Sequence, residues 1–363
     1  MTALAFPTTD APRRTSDAER EKILAAPGFG SVFSDHMAVA RWREGTGWGE
    51  GRVVPYGPIE LSPATAVLHY AQEVFEGLKA YRHADGSVWA FRPEKNAERL
   101  QRSARRLALP ELPTEDFLAS LAALVAADEP WVPTPTAEES LYLRPFMFAA
   151  EEFLGVRAAH VVDYYVIASP AGSYFPRGVQ PLVVWISDTY ARAGTGGTGA
   201  AKCGGNYASS LLGKREAAEN GADEVMFLDA STHTAIDELS GMNVFAITRD
   251  GRIETPRLTG AILEGITRDS VLTLAADRGL EVHETSLVAS DVLDRVASGE
   301  ITEMFACGTA AVITPIGELR SQDGAWQVSG GGSGEHTLAL RAELTDIQYG
   351  RAADPHGWMH RLV

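Results

Sequence analysis

Two cysteines in 363 residues, Cys203 and Cys307, cannot build a disulfide framework. Neither stands at metal-ligand spacing from another cysteine or from closely placed histidines, so no structural metal site is expected. Long apolar runs are also missing. The longest nearly unbroken one, Phe117 to Ala127, is too short to span a bilayer and has the composition of a buried helix. Positive charge is scarce: 32 Lys and Arg stand against 48 Asp and Glu, for a net charge of −16, and no basic stripe offsets this locally. Such a chain repels a phosphate backbone, which argues against nucleic acid and anionic membranes as partners. The opening residues, Met1-Thr2-Ala3-Leu4-Ala5-Phe6-Pro7, lack the charged-then-apolar order of a secretory signal, so a cytoplasmic protein is expected. What is present, 45% hydrophobic and 22% charged residues, suffices to bury one large core or two.

The first half mixes short strands with helices. One helix is expected to open near Pro93, a residue suited to a first turn, and to carry Leu100, Ala104 and Leu107 on one face. A second should cover about Glu115 to Ala127. The β-branched and aromatic run Ala159 to Ala168 reads as a buried strand ending at Pro170. Residues 171–181 then concentrate Gly and Pro between strand patterns, which marks an exposed connection. This places a small N-terminal domain at 1–170 and a larger domain at 182–363. In the latter, Leu182 to Ile186 and Glu224 to Leu228 should be strands flanking a helix from about Tyr207 to Asn220. Asn243 to Thr248 and Arg252 to Thr255 should pair as a hairpin around Asp250-Gly251. Ser329 to Gly334 reads as a flexible Gly/Ser loop.

The most informative stretch is Gly194-Thr195-Gly196-Gly197-Thr198-Gly199-Ala200-Ala201-Lys202-Cys203-Gly204-Gly205-Asn206-Tyr207. Its first six residues spell the dinucleotide-binding pattern, but such a turn should enter a helix directly and meet an acidic residue at the end of a second strand. Here Lys202 and another Gly pair intervene, and Glu216 falls inside a helix. A phosphate-binding P-loop fails too, because Lys202 follows Ala and precedes Cys. A single lysine among Gly, Ala and Cys, with no acidic neighbour in the sequence, suits Schiff-base chemistry if the loop packs inward. From this stretch alone, a lysine on a mobile glycine loop remains open as well.

Lys202-Cys203-Gly204-Gly205-Asn206-Tyr207, followed downstream by Glu238-Leu239-Ser240-Gly241-Met242-Asn243, resembles the branched-chain aminotransferases of the fold-type-IV pyridoxal-phosphate enzymes. The resemblance continues in Phe29 to Met37, Leu68-His69-Tyr70, Val74 to Ala80, Leu141 to Pro145 and Leu344 to Gly350, so it spans nearly the whole chain. It implies an α+β protein of two domains with the active site in the cleft between them. It also implies pyridoxal 5′-phosphate as cofactor, a homodimer, and ping-pong transfer of the amino group of leucine, isoleucine or valine to 2-oxoglutarate. Among related enzymes, a D-amino-acid aminotransferase or an aminodeoxychorismate lyase would also retain Lys202 and Glu238. The set Tyr70, Phe75 and Tyr142 favours the branched-chain type.

By this resemblance Lys202 carries the cofactor and moves the substrate's proton, Glu238 keeps the ring nitrogen protonated, and Tyr207 meets the phenolic oxygen. Arg99 supplies a guanidinium to the phosphate, with Arg192 a second candidate. The phosphate's backbone cup comes from Gly265-Ile266-Thr267, opening a helix over Arg268 to Arg278, and from Gly308-Thr309. Phe29, Tyr70, Phe75, Tyr142 and Arg144 surround the substrate side chain, and the N–H groups of Thr309 and Ala310 face its α-carboxylate. Tyr70 and the Leu154-Gly155-Val156 loop are expected to reach in from a second subunit. Two departures stand out: Gly241 replaces the Thr of many relatives, and Ala311 and Thr314 replace a redox Cys pair found in some.

Overall fold

The computed structural model describes residues 3–172 and 179–363, so part of the connection proposed for 171–181 lies outside the described residues. The chain is α+β and divides into two compact units that are not contiguous in sequence. Met1–Pro176, Ala201–Gly204 and Ile347–Val363 form the first, and Arg177–Ala200 with Gly205–Asp346 form the second.

The first unit is built on an eight-stranded sheet. Its strands are β1 (His36–Arg43), β2 (Gly47–Pro55), β3 (Glu73–Phe75), β4 (Leu78–Arg82), β5 (Val88–Phe91), β6 (Ser140–Ala149), β7 (Val161–Ala171) and the C-terminal strand Met359–Arg361. All neighbours are antiparallel, and β6 takes its long partner β7 on one side and both β3 and β4 on the other. Short helices α1 (Asp17–Ala25) and α2 (Val67–Tyr70) precede two longer ones, α3 (Pro93–Arg106) and α4 (Thr114–Ala127). Proline at N1 of α3 forfeits only an N–H that would be unpaired there, as the sequence anticipates. Helix α4 buries Phe117, Leu121, Leu124 and Val125 at helical spacing, and each such side chain contributes about 1.5–3 kcal/mol when fully buried.

Helix α3 carries two adjacent stripes. Ala97, Leu100 and Ala104 enter the apolar core, while Asn96, Arg99 and Ser103 are equally buried yet polar. Positions i, i+3 and i+7 lie one above the other on a helix, so those three polar groups share a face. Helix α3 packs against β3, which brings this face to the residues around Phe75.

The second unit holds a nine-stranded mixed sheet. Its strands are β8 (Leu182–Ser187), β9 (Glu224–Leu228), β10 (Ile236–Leu239), β11 (Asn243–Thr248), β12 (Arg252–Pro256), β13 (Glu281–Thr285), β14 (Ile301–Gly308), β15 (Val312–Ser321) and β16 (Gly324–Gln327). Strand β8 runs parallel to β9 and β15, joined to β9 through α5 (Gly204–Glu219), and β12 runs parallel to β13 through α6 (Ile266–Asp277). Helices α7 (Ala289–Ala297) and α8 (Glu335–Gln348) complete the unit's helices, α8 running to the boundary with the first unit. The β11–β12 hairpin forms as expected, with Gly251 at φ +85° in its turn. Its neighbour β14 puts Phe305 opposite Phe245, the two rings stacked with centroids 4.9 Å apart. Helices α5 and α6 begin three and two residues earlier than the sequence pattern suggests.

The segment Ser329 to Gly334 is not the open loop expected from its composition. Val328 is buried, the Ser329 hydroxyl donates to the Thr302 carbonyl at 2.8 Å, and Ser329–Gly331 winds into a 3₁₀ turn. Gly331 adopts φ +82°, a conformation that glycine reaches without strain, so here the glycines serve a tight turn.

Candidate active site

Lys202 lies between the glycine-rich turn and the start of α5, and its main chain is held from two sides. Its N–H donates to the Ser103 hydroxyl on α3 at 2.9 Å, and its carbonyl accepts the Phe75 N–H at 2.9 Å. Two residues on, the Gly204 N–H donates to the Glu73 carboxylate. Ala201 and Cys203 are buried in the first unit's core, which anchors the lysine without burying its head. The ammonium sits 5.0 Å from the centroid of the Phe75 ring.

Beside it, Glu76 is fully buried and accepts hydrogen bonds from Arg99 Nε at 2.7 Å, Arg99 Nη2 at 2.8 Å and Asn96 at 2.7 Å. Burial alone raises a carboxyl's pKa, but the charge and hydrogen bonds of Arg99, the charge of Lys202 and the Asn96 bond outweigh it and hold Glu76 below its usual range. The acidic neighbour that the local sequence of Lys202 lacks is thus supplied by the fold. Neither Glu76 nor Ser103 was singled out from the sequence. The signal available was the polar stripe of α3, whose members meet these groups.

Tyr142, Arg144 and Phe146 alternate as the half-buried positions of β6, so the first two share a face, as expected. Arg144 Nη2 donates to the Tyr142 hydroxyl at 3.1 Å, and its guanidinium stands 4.8 Å from the Phe75 ring and 5.3 Å from the Tyr142 ring. Arg144 Nε is buried with no hydrogen-bond partner among the described residues. Phe29, half exposed, meets Tyr142 edge-on at 5.1 Å. A Cβ on Gly77 would collide with the Tyr142 hydroxyl, so a side chain there would displace the Tyr142 ring. The structure thereby links Phe29, Tyr142, Arg144, Phe75 and Lys202 in one chain of contacts. Tyr70 stands outside this chain: it is exposed, and its hydroxyl donates to the Leu154 carbonyl.

In the second unit, Glu238 on β10 is buried. Its Oε1 accepts the Leu263 N–H at 2.9 Å and lies 2.7 Å from Arg192 Nη1, while Asn243 approaches Oε2 at 3.4 Å. Arg192 also stands 5.9 Å from the ring centroid of Tyr207 in the first turn of α5. Arg192, the second candidate for the phosphate, thus pairs Nη1 with a buried carboxylate, while its Nε is buried with no hydrogen-bond partner among the described residues. Ile266 and Thr267 open α6 behind Gly265; no side chain caps that helix by a hydrogen bond, and its one acidic residue in the first turn is Asp269. Gly265 packs against the Asn243 amide with no room for a Cβ. Gly308 ends β14, and Thr309 and Ala310 turn into β15.

The Gly194 to Gly199 pattern forms consecutive turns between β8 and α5, without entering a helix directly. Gly199 presses on the backbone of Ala261, where a Cβ would clash, which is packing rather than dinucleotide recognition. Among the described residues no group of three or more His, Cys, Asp or Glu could hold a metal ion. No helix among the described residues is long and apolar enough to cross a membrane. Gly241 has space around it, its nearest neighbour being the Tyr207 ring at 3.8 Å from a notional Cβ.

Within the second unit, a helix N-terminus without a side-chain cap and a buried carboxylate held by Arg192 are groups that suit an anionic, ring-nitrogen cofactor; within the first, Lys202 is anchored at its backbone. Residues 73–319 match the family described as amino-transferase class IV. The chain is 56% identical over 348 residues to a probable branched-chain-amino-acid aminotransferase of Streptomyces coelicolor, covering 96% of both chains. It is 54% identical over 363 residues to the branched-chain-amino-acid aminotransferase of Mycobacterium tuberculosis, covering 99% of both. Among solved structures, the branched-chain amino acid aminotransferase of Thermobaculum terrenum in its PLP-bound holo-form superposes with a TM-score of 0.73 at 25% identity, covering 90% of this chain and 98% of that one. These relatives carry the branched-chain name, which sets aside the D-amino-acid and lyase readings. The chain belongs to the class-IV amino-transferases, within the branched-chain aminotransferase group.

Proposed function

We propose that this protein transfers the amino group of leucine, isoleucine or valine to 2-oxoglutarate with pyridoxal 5′-phosphate as cofactor, Lys202 being the residue that holds it. The observation that carries this assignment of Lys202 is its doubly held main chain, which fixes the lysine while its amine remains beside Phe75 and the Glu76–Arg99 pair. When bound, the cofactor supplies a sink for the electrons left on the substrate's Cα. Lys202 Nζ takes the proton from that Cα, and Glu76 offsets its positive charge. Glu238 would hold a proton on the ring nitrogen, its own negative charge kept in place by Arg192 and the Leu263 N–H. Tyr207 would donate to the phenolic oxygen. Arg99, its plane set by Glu76, and the N–H groups of Ile266, Thr267, Gly308 and Thr309 would hold the phosphate.

Phe29, Phe75 and Tyr142 offer an apolar wall for a branched side chain. Arg144 among them has a buried Nε without a partner, a donor suited to the γ-carboxylate of glutamate. The N–H groups of Thr309 and Ala310 would receive the α-carboxylate. A homodimer is the proposed active form, supported by the exposed and adjoining Tyr70, Leu154 and Val156, whose apolar surface is costly to leave in water. The two cysteines are unbridged, which accords with a reducing cytoplasm. Borohydride reduction of the loaded enzyme followed by peptide mapping tests the assignment: the label belongs on Lys202, and a different lysine would refute it.

A further inference from the structure

The second unit contains a cavity of about 360 Å³ that none of the proposed roles uses. It is framed by the turn between β9 and β10, the segment after β12 and the segment after β13, and its walls include Asp229, Thr234, Asp237, Arg257, Thr285 and Val288. Its volume lies near the lower end of small-molecule sites. The two acids in it differ. Asp229 is spent on the turn: its carboxylate accepts the Ser231 hydroxyl at 2.6 Å and the N–H groups of Thr232, Thr234 and Ala235 at 2.8 to 3.0 Å. The Ser231 bond and those N–H groups hold its pKa far below the usual range against the effect of burial.

Asp237 is 8% exposed and makes no hydrogen bond or ion pair among the described residues. Burial and the neighbouring charge of Asp229 push its pKa up to about 6, with Arg192 opposing. The carboxylate oxygens of Asp237 are not among the fully buried atoms and so face the cavity, where a largely buried carboxylate without a protein partner is a site for a cation. The partner's sign follows from the carboxylate. A divalent metal is disfavoured, since no three ligating side chains assemble here and Asp229 is engaged. The remaining walls combine Thr234 and Thr285 hydroxyls with apolar Ile262 and Val288, and Arg257 is exposed at the rim. They suit a cationic head with a short carbon body.

We propose that this pocket binds a small organic ammonium ion through Asp237. The ammonium donates to the Asp237 carboxylate and to neighbouring hydroxyls, and a ligand that also carries a carboxylate presents it to Arg257. Asp237 adjoins Glu238 in sequence and feels Arg192, so an ammonium that takes up its charge leaves Arg192 wholly to Glu238. The site stands independently of the roles assigned to Lys202 and Glu238.

Equilibrium dialysis of the borohydride-reduced holoenzyme, in which the cofactor lysine can no longer exchange with an amine, tests this with L-alanine, ethylamine and acetate. Saturable binding of ethylamine but not acetate is expected, weakened at least ~10-fold by Asp237→Asn, the scale of one charge-assisted hydrogen bond. An Arg257→Gln variant that weakens alanine alone identifies the ligand as a zwitterion, and one that weakens neither identifies a simple amine. Binding of acetate equal to that of ethylamine, absence of saturable ethylamine binding, or unchanged affinity in Asp237→Asn each overturns the proposal. The acetate arm needs no variant, and thermal unfolding with the leucine half-reaction verifies that Asp237→Asn is folded.

Discussion

Replacing Arg144 by glutamine separates the two half-reactions of the proposed cycle. In the structure the guanidinium lies against Phe75 and Tyr142, donates to the Tyr142 hydroxyl, and keeps Nε buried without a partner. When glutamate or 2-oxoglutarate binds, a γ-carboxylate satisfies that donor, a charge-assisted bond of roughly 1.5–3 kcal/mol. At about 1.4 kcal/mol per factor of ten, its loss slows that half-reaction roughly ten- to a hundredfold. The stacking on the two rings supports both half-reactions alike and is worth about 0.5–1 kcal/mol, a common loss of about two- to fivefold. With leucine bound, the variant also removes a buried donor that leucine cannot satisfy, which offsets part of that loss. Stopped-flow rates for leucine and for glutamate, each in a single half-reaction, should therefore diverge by about tenfold or more. Equal losses in both would show that Arg144 supports the wall and reads no substrate carboxylate.

Glu238→Gln should slow single turnovers by ~10² to 10³ while cofactor occupancy measured by absorbance is retained, because an amide cannot hold the ring-nitrogen proton. Glu76→Gln leaves Arg99 uncompensated in a buried site, and thermal unfolding should show a loss of about 3–5 kcal/mol. Since the Glu76 pKa is lowered on folding, its pairing contributes fully above the ordinary carboxylate value of 4.5 and is lost as pH falls through the lowered one, so wild type and variant should converge in acid. Asp237 has the opposite sign. Its pKa is raised from 3.8 to about 6, so ligand-free protein loses stability as pH rises across that interval, and Asp237→Asn should flatten that part of the unfolding profile.

Local structure was the most legible part of the sequence. Pro93 marks the start of α3, the alternation of Tyr142 and Arg144 survives in β6, and Asp250-Gly251 turns a hairpin, because each depends on residues close in the chain. The composition of Ser329 to Gly334 misled, since glycines that permit a loop equally permit a tight turn once Val328 is buried and Ser329 finds the Thr302 carbonyl. What holds Lys202 was not legible. Ser103 lies 99 residues from it, and Glu73 lies 131 residues from Gly204, separations across which no periodicity carries information. The same holds for the grouping of Ala201–Gly204 with the first unit, which a contiguous division of the chain does not express. The pairing of Arg192 with Glu238, far along the chain, was likewise not legible. The polar stripe Asn96, Arg99 and Ser103 was visible, but a polar stripe on a helix ordinarily faces water, and only burial reveals that this one does not.

The central claim is that Lys202 holds the cofactor, and mass-spectrometric peptide mapping of the borohydride-reduced holoenzyme tests it most directly. The added cofactor mass should appear on the peptide containing Lys202, at that residue, and should be absent from Lys202→Ala, which still binds the cofactor noncovalently through the phosphate cup. Stoichiometric labelling of any other lysine in the wild-type protein would contradict it.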